Sequence, residues 1–187
     1  YGDVLFITIN SNNNLMLDTA KVLREATQAH PDTKWRVVTM HHNPYSASLS
    51  DDDFSEERLF FSSLYDLYDI DLCLSGHDHF YSRTDTMYAG EVTDGEGTVY
   101  VQSSSASGSN YDPLPESTAS FTVSAFDVRV PTYTAFNFND GAIVGTTYRT
   151  DTDEVIDSFE ITDNTTDSDA NIFTVIILFF KTLFSMI

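Results

Sequence analysis

Arg36-Val37-Val38-Thr39-Met40-His41-His42-Asn43-Pro44-Tyr45 and Asp71-Leu72-Cys73-Leu74-Ser75-Gly76-His77-Asp78-His79 are the stretches that decide the fold. Each is a short apolar run that ends in histidine, so each reads as a buried strand, Arg36–Met40 and Asp71–Ser75. Between them, Phe54–Tyr68 has the apolar spacing of an amphipathic helix. The serine and aspartates of 50–53 supply a cap and negative charge at its start. Strand, helix, strand in that order is a crossover unit, whose strands run parallel with a right-handed connection. Upstream, Val4–Ile9 reads as another buried strand. Leu15–Ala29 reads as a helix closed by Pro31, with Leu15, Ala20, Leu23 and Ala26 at helical spacing. The first 75 residues thus alternate strand and helix and predict a parallel sheet.

Beyond residue 80 the helical signal stops. Val99–Gln102, Phe121–Arg129, Tyr133–Phe138, Ala142–Arg149 and Glu154–Ile161 read as strands, with a tight turn at Asn139-Asp140-Gly141 and a Ser/Gly-rich loop over Ser103–Asn110. The fold expected over residues 1–162 is a layered α/β sandwich. Residues 163–171 read as an acidic polar linker. Residues 172–187 turn apolar, with Lys181 among them, and are short for a membrane span, which needs about 20. They read as a hydrophobic or amphipathic helix for a membrane surface, a partner or a second copy, or as a cut-short anchor or docked tail.

Composition narrows the chemistry. The chain has 187 residues, 29 Asp and Glu against 9 Lys and Arg, and a formal charge of −20. That charge argues against nucleic acid as a partner, because a basic footprint is missing. The single cysteine excludes an intrachain disulfide framework and a Cys-based zinc cage. Metal chemistry would fall to carboxylates and the five histidines.

Four of those histidines end the two deciding strands. Parallel strands joined by one crossover end on the same sheet edge, where open α/β sheets place their sites. His41 therefore meets the pair His77 and His79 across a gap of 36 residues. In an extended segment His77 and His79 would face one side, with Asp78 turned away as a loop-shaping residue. Imidazole suits zinc, iron, nickel and copper, so three histidines make a transition-metal half-site. His30, beside Pro31, reads as a helix C-terminal residue. Arg83 reads either as a cation near the substrate or as a salt bridge within the sheet.

Val38-Thr39-Met40-His41-His42-Asn43-Pro44-Tyr45, with Ser75-Gly76-His77-Asp78-His79-Phe80-Tyr81-Ser82-Arg83-Thr84, resembles the calcineurin-like metallophosphoesterases, and among them the bacterial purple-acid-phosphatase-like members. Weaker support comes from Gly97–Tyr100, Ser103–Tyr111, Val130–Tyr133 and Thr147–Thr150, so the resemblance covers residues 1–162 as the C-terminal part of that domain. It implies a dinuclear centre of iron, zinc or manganese and a phosphoester substrate. By motif position, His41 and His77 would bind one metal and His79 the other. His42 has no motif assignment and reads as substrate-proximal, with Arg83 as a nearby cation. The family's bridging aspartate and its Asn-His-Glu or Asn-His-Asp segment have no counterpart here. Gly2-Asp3 is only superficially similar to a Gly-Asp motif, and the chain contains no Asn-His pair. The resemblance thus assigns no catalytic residue. It implies a metal-dependent phosphomonoesterase that is part of a larger parent and inactive alone. The other reading is a non-catalytic metal-binding or structural surface module. Tyr1-Gly2-Asp3 has no initiator Met or signal pattern, which predicts further sequence upstream. Acidity, the single cysteine, the apolar tail and the resemblance together suggest an extracellular or cell-surface location.

Overall fold

The computed structural model describes residues 1–12, 16–49 and 56–162. The linker and helix read over 163–187 lie outside the described residues. In chain order the elements are β1 (Val4–Thr8), α1 (Met16–Ala29), β2 (Trp35–His42), α2 (Glu56–Leu67), β3 (Leu72–Gly76), β4 (Tyr81–Thr84), β5 (Met87–Tyr88), β6 (Glu91–Val92), β7 (Val99–Gln102), β8 (Thr122–Phe126), β9 (Thr132–Phe138), β10 (Ala142–Arg149) and β11 (Val155–Thr162). Among the described residues no helix is long and apolar enough to cross a membrane.

A six-stranded sheet has the order β1-β2-β3-β7-β4-β8, and a three-stranded sheet has the order β11-β10-β9. The first four strands of the larger sheet run parallel, as the alternation of strand and helix requires. β4 and β8 extend it in antiparallel fashion. The result is the expected mixed α/β sandwich.

The pleat of the central strands sorts their side chains into two cores. In β2, Val38 and Met40 join Leu5, Ile7, Leu23, Phe61, Tyr65, Cys73 and Tyr100 under the two helices. Trp35 and Val37 face the other way, with Val4, Leu72, Val99, Val101, Ile143 and Ile161, against the three-stranded sheet. Val37 and Val38 are both fully buried, one in each core. Each contributes about 1.5–3 kcal/mol by leaving water. A one-residue slip of β2 would exchange the two faces, so burial on both sides pins its register. The indole N–H of Trp35 donates to the Asn139 carbonyl at 2.9 Å, tying β2 to the turn of the second sheet.

Several elements depart from the strands read in the sequence: β5 and β6 are not among those strands, β8 ends at Phe126, and two further differences concern the site and its support. β2 continues two residues past Met40, so His41 and His42 belong to the strand itself. β4 has no apolar run to announce it; its sequence is Tyr-Ser-Arg-Thr. It is held through polar groups. Arg83 donates from Nε and Nη2 to the Asp157 carboxylate at 2.7 and 3.2 Å, and the Tyr81 hydroxyl donates to the same group at 2.7 Å. The Arg83 guanidinium also lies 4.6 Å from the centroid of the Phe159 ring. The Phe159 ring lies against Gly145, where a Cβ would collide with it. Arg83, read above either as a cation near the substrate or as a salt bridge within the sheet, pairs with Asp157 and joins the two sheets.

Burial alone pushes the Asp157 carboxyl up, but the hydrogen bonds from Arg83 and Tyr81 and the Arg83 charge outweigh it and hold the group below the usual carboxylate range. Its contribution is therefore present above the unfolded-state value and lost as pH falls into the acid range. Asp157→Asn should cost about 3 kcal/mol at neutral pH by leaving a largely buried guanidinium unpaired. Urea denaturation at several pH values checks this, the difference between the two proteins shrinking as the medium becomes acidic.

Candidate metal centre

The site forms because β2 and β3 are parallel neighbours whose C-terminal ends share one edge. Their register runs Val37↔Leu72, Val38↔Cys73 and Thr39↔Leu74, then resumes at His42↔Gly76. Three steps on β2 match two on β3, so β2 carries one extra residue at Met40-His41. Bulges of this kind re-aim side chains beside active sites. Here the amides of both His41 and His42 reach the Ser11 hydroxyl, each at 3.2 Å. Ser11 lies in the loop after β1 and is buried.

On β3 the chain leaves Gly76 and bends through His77 at φ +89° and His79 at φ +52°. The bend falls on the histidines, because Gly76 does not itself take a left-handed conformation. Such backbone costs on the order of 1–3 kcal/mol per residue and persists only where its surroundings enforce it. It also means that the segment is not extended, so His77 and His79 do not share a side by simple alternation.

His41, His42 and His77 come together, with one ligand-type nitrogen from each ring within 4.8 Å of the others. His41 Nε2 and His77 Nδ1 stand 3.3 Å apart. Two nitrogens bound tetrahedrally at 2.0–2.1 Å to one zinc ion stand about 3.3 Å apart, so this separation already suits an ion. The ring centroids of His42 and His77 are 4.6 Å apart, and those of His41 and His42 are 4.8 Å apart. His41 and His77 are exposed and His42 is half-buried, which leaves the group open to solvent. Among the described residues this is the one group of three donors close enough to hold an ion, and it contains no carboxylate. The donors fit a single zinc, iron or comparable ion.

His79 lies elsewhere. Its Nδ1 meets the Asn110 amide nitrogen at 2.9 Å and stands 3.6 Å from Asp112. The end of the Ser/Gly-rich loop, at Asn110, and Asp112 just beyond it thus supply the partners of the second histidine of the Gly-His-x-His segment. Arg83 is engaged with Asp157, as described.

Two contacts that fix the loops have no motif-level signature. Asp78 accepts hydrogen bonds from Ser46 and from Ser48, the latter at 2.9 Å, and so clasps the loop after β2 to the loop after β3. This agrees with its reading as a loop-shaping residue. Arg58 of α2 is buried, donates from Nε to the Pro44 carbonyl at 3.1 Å, and sits between Tyr45 and Phe121 at 4.9 and 4.8 Å. An arginine in an amphipathic helix is ordinarily read as solvent-facing, which is why the sequence did not mark it.

No protein-family model and no curated protein sequence matches the chain. Solved structures do. A purple acid phosphatase from yellow lupin (Lupinus luteus) seeds superposes with a TM-score of 0.67 at 18% identity, over 87% of this chain and 31% of that one. GAP50, the anchor in the inner membrane complex of Plasmodium, superposes with a TM-score of 0.68 at 15% identity, over 94% of this chain and 55% of that one. The chain therefore has a fold similar to that of purple acid phosphatase and spans about a third to a half of the length of these neighbours.

Asp78→Ala should separate the two loops and weaken zinc binding about tenfold, the scale on which residues that orient ligands act. Titration against a chromophoric chelator measures it, and Asp78→Asn should recover part of the loss.

Proposed function

We propose that this chain belongs to the calcineurin-like metallophosphoesterases and forms part of a metal-dependent phosphomonoesterase. The observation that carries the reading is the meeting of His41, His42 and His77 at one sheet edge of a purple-acid-phosphatase-like fold. His41 and His77 would hold a shared ion through Nε2 and Nδ1. His79, turned toward Asn110 and Asp112, would serve a second ion, completing a dinuclear centre of iron, zinc or manganese with a carboxylate from outside the cluster. When bound, the ions lower the pKa of a coordinated water and neutralise phosphoryl charge. The second effect matters in a chain of formal charge −20, which otherwise repels an anionic ester.

The chain's own residues perform the rest. The bulge in β2 aims His41 and His42 at the edge. Asp78 holds the two histidine loops together. Arg58 fixes Pro44 and Tyr45 behind them. Arg83 ties the two sheets together through Asp157. The protein would act outside the cell or at its surface, with 172–187 contacting a membrane surface or a second copy.

Among the described residues the histidine cluster holds no carboxylate, which favours a second, non-catalytic reading. GAP50 bears an anchor's name on a similar fold, and a metal-binding surface module would need no bridging ligand.

The purified 187-residue chain should bind zinc and yet not turn over p-nitrophenyl phosphate at a useful rate with zinc, iron or manganese. Turnover that vanishes in His77→Ala/His79→Ala would contradict its dependence on a larger parent. The coding sequence immediately upstream of Tyr1 separates the two readings. Asp-x-x-x-Gly-Asp and Gly-Asn-His there support the hydrolase, whereas an unrelated domain contradicts it.

A further inference from the structure

Ser11 is buried at 6% exposure, and its hydroxyl oxygen meets three nitrogens. The backbone N–H groups of His41 and His42 both donate to it at 3.2 Å. Its third contact is with His42 Nδ1 at 2.9 Å. A hydroxyl has two lone pairs and one proton. The two amides occupy the lone pairs, so the remaining direction is that of its own proton. Nδ1 of His42 must then be the acceptor. A neutral imidazole that accepts at Nδ1 carries its proton on Nε2.

We infer that Ser11 is a positioning residue that fixes His42 as the Nε2–H tautomer, making His42 a hydrogen-bond donor within the cluster and not a third ligand. A histidine that binds a metal normally donates its other ring N–H to an acceptor, which leaves the ligating nitrogen its lone pair. The Ser11 contact imposes the opposite polarity on His42. His41 and His77 differ from it, since their ring nitrogens face one another at 3.3 Å. The cluster is therefore two ligands and one donor. An N–H beside an ion is suited to an oxyanion on that ion, such as a phosphoryl oxygen. This last step rests on the function proposed above; the tautomer does not.

The bulge in β2 is what makes the device possible. Successive amides of a regular strand point in opposite directions, and the extra residue turns two of them toward one oxygen. The same insertion that brings His41 to the edge thus also saturates Ser11 and forces the orientation of its proton.

The test is a long-range proton–nitrogen correlation spectrum of the isotope-labelled, metal-free chain, taken above the ordinary imidazole titration range. The His42 signals are those lost in His42→Ala. The expected result is an unprotonated Nδ1 and a protonated Nε2 on His42. Ser11→Ala should shift His42 toward a mixture of tautomers, Ser11→Thr should preserve the Nε2–H form, and His30 should be unchanged in both. A His42 proton on Nδ1, or an Nε2–H form unaffected by Ser11→Ala, would overturn the inference. If Ser11→Ala does not fold, the native spectrum and Ser11→Thr still decide it. On adding zinc, His41 and His77 should shift while His42 Nε2 keeps its proton; loss of that proton would also overturn the inference. Failure of zinc to bind at all would count against the proposed function and leave the tautomer result standing.

Discussion

Everything at the site depends on how β2 pairs with β3. The two strands run parallel because a helix joins them, and β2 is pinned in register because it buries side chains on both faces. Val37 goes into one core and Val38 into the other, and a slip by one residue would exchange the two sets of side chains between cores packed for the opposite set. Within that fixed frame a single extra residue at Met40-His41 shifts the last stretch of β2 relative to β3. The shift places the His41 and His42 rings against His77, the residue that follows β3. A local irregularity can be reproducible in this way only because the strand around it has no freedom to absorb the change elsewhere.

The loops above the edge are held by polar contacts of a different kind. Asp78 joins the two histidine loops through Ser46 and Ser48. Arg58 is buried between two aromatic rings and grips the Pro44 carbonyl from below. The left-handed backbone of His77 and His79 is sustained by these surroundings. Strain, a carboxylate clasp and a buried cation thus converge on one small region, whereas the sheets beneath are held mainly by apolar packing, with the Arg83–Asp157 pair as a polar bridge between them. Exposure of the His41 and His77 rings above such a rigid base fits a centre that meets its ligand from solvent.

The elements with an apolar period were legible before any coordinates. β7 and β10 fall on the residues read for them, and the parallel order of β1, β2 and β3 follows from the alternation of strand and helix. The elements held by polar contacts were not. β4 depends on Asp157, 74 residues from Arg83, and nothing in Tyr-Ser-Arg-Thr marks it as a strand. The meeting of His41 with His77 was legible as topology. The place of His42 in that cluster was not, because it depends on a bulge, and bulges have no periodic signature. The direction of His79 was hidden for a related reason. Alternation applies to extended chain, and this segment turns through two left-handed residues. Ser11 is a small polar residue in a loop, visible as functional only through the three nitrogens around it.

One ion should be shared by His41 of β2 and His77, the residue just after β3. Cobalt(II) substitution followed by paramagnetic proton spectroscopy tests it directly. With one equivalent of cobalt, ring protons of His41 and His77 should be strongly shifted together, in proportion to the metal added, while those of His30 remain in the diamagnetic region. Shifts confined to one of the two histidines, or spread equally to His30, would contradict the account.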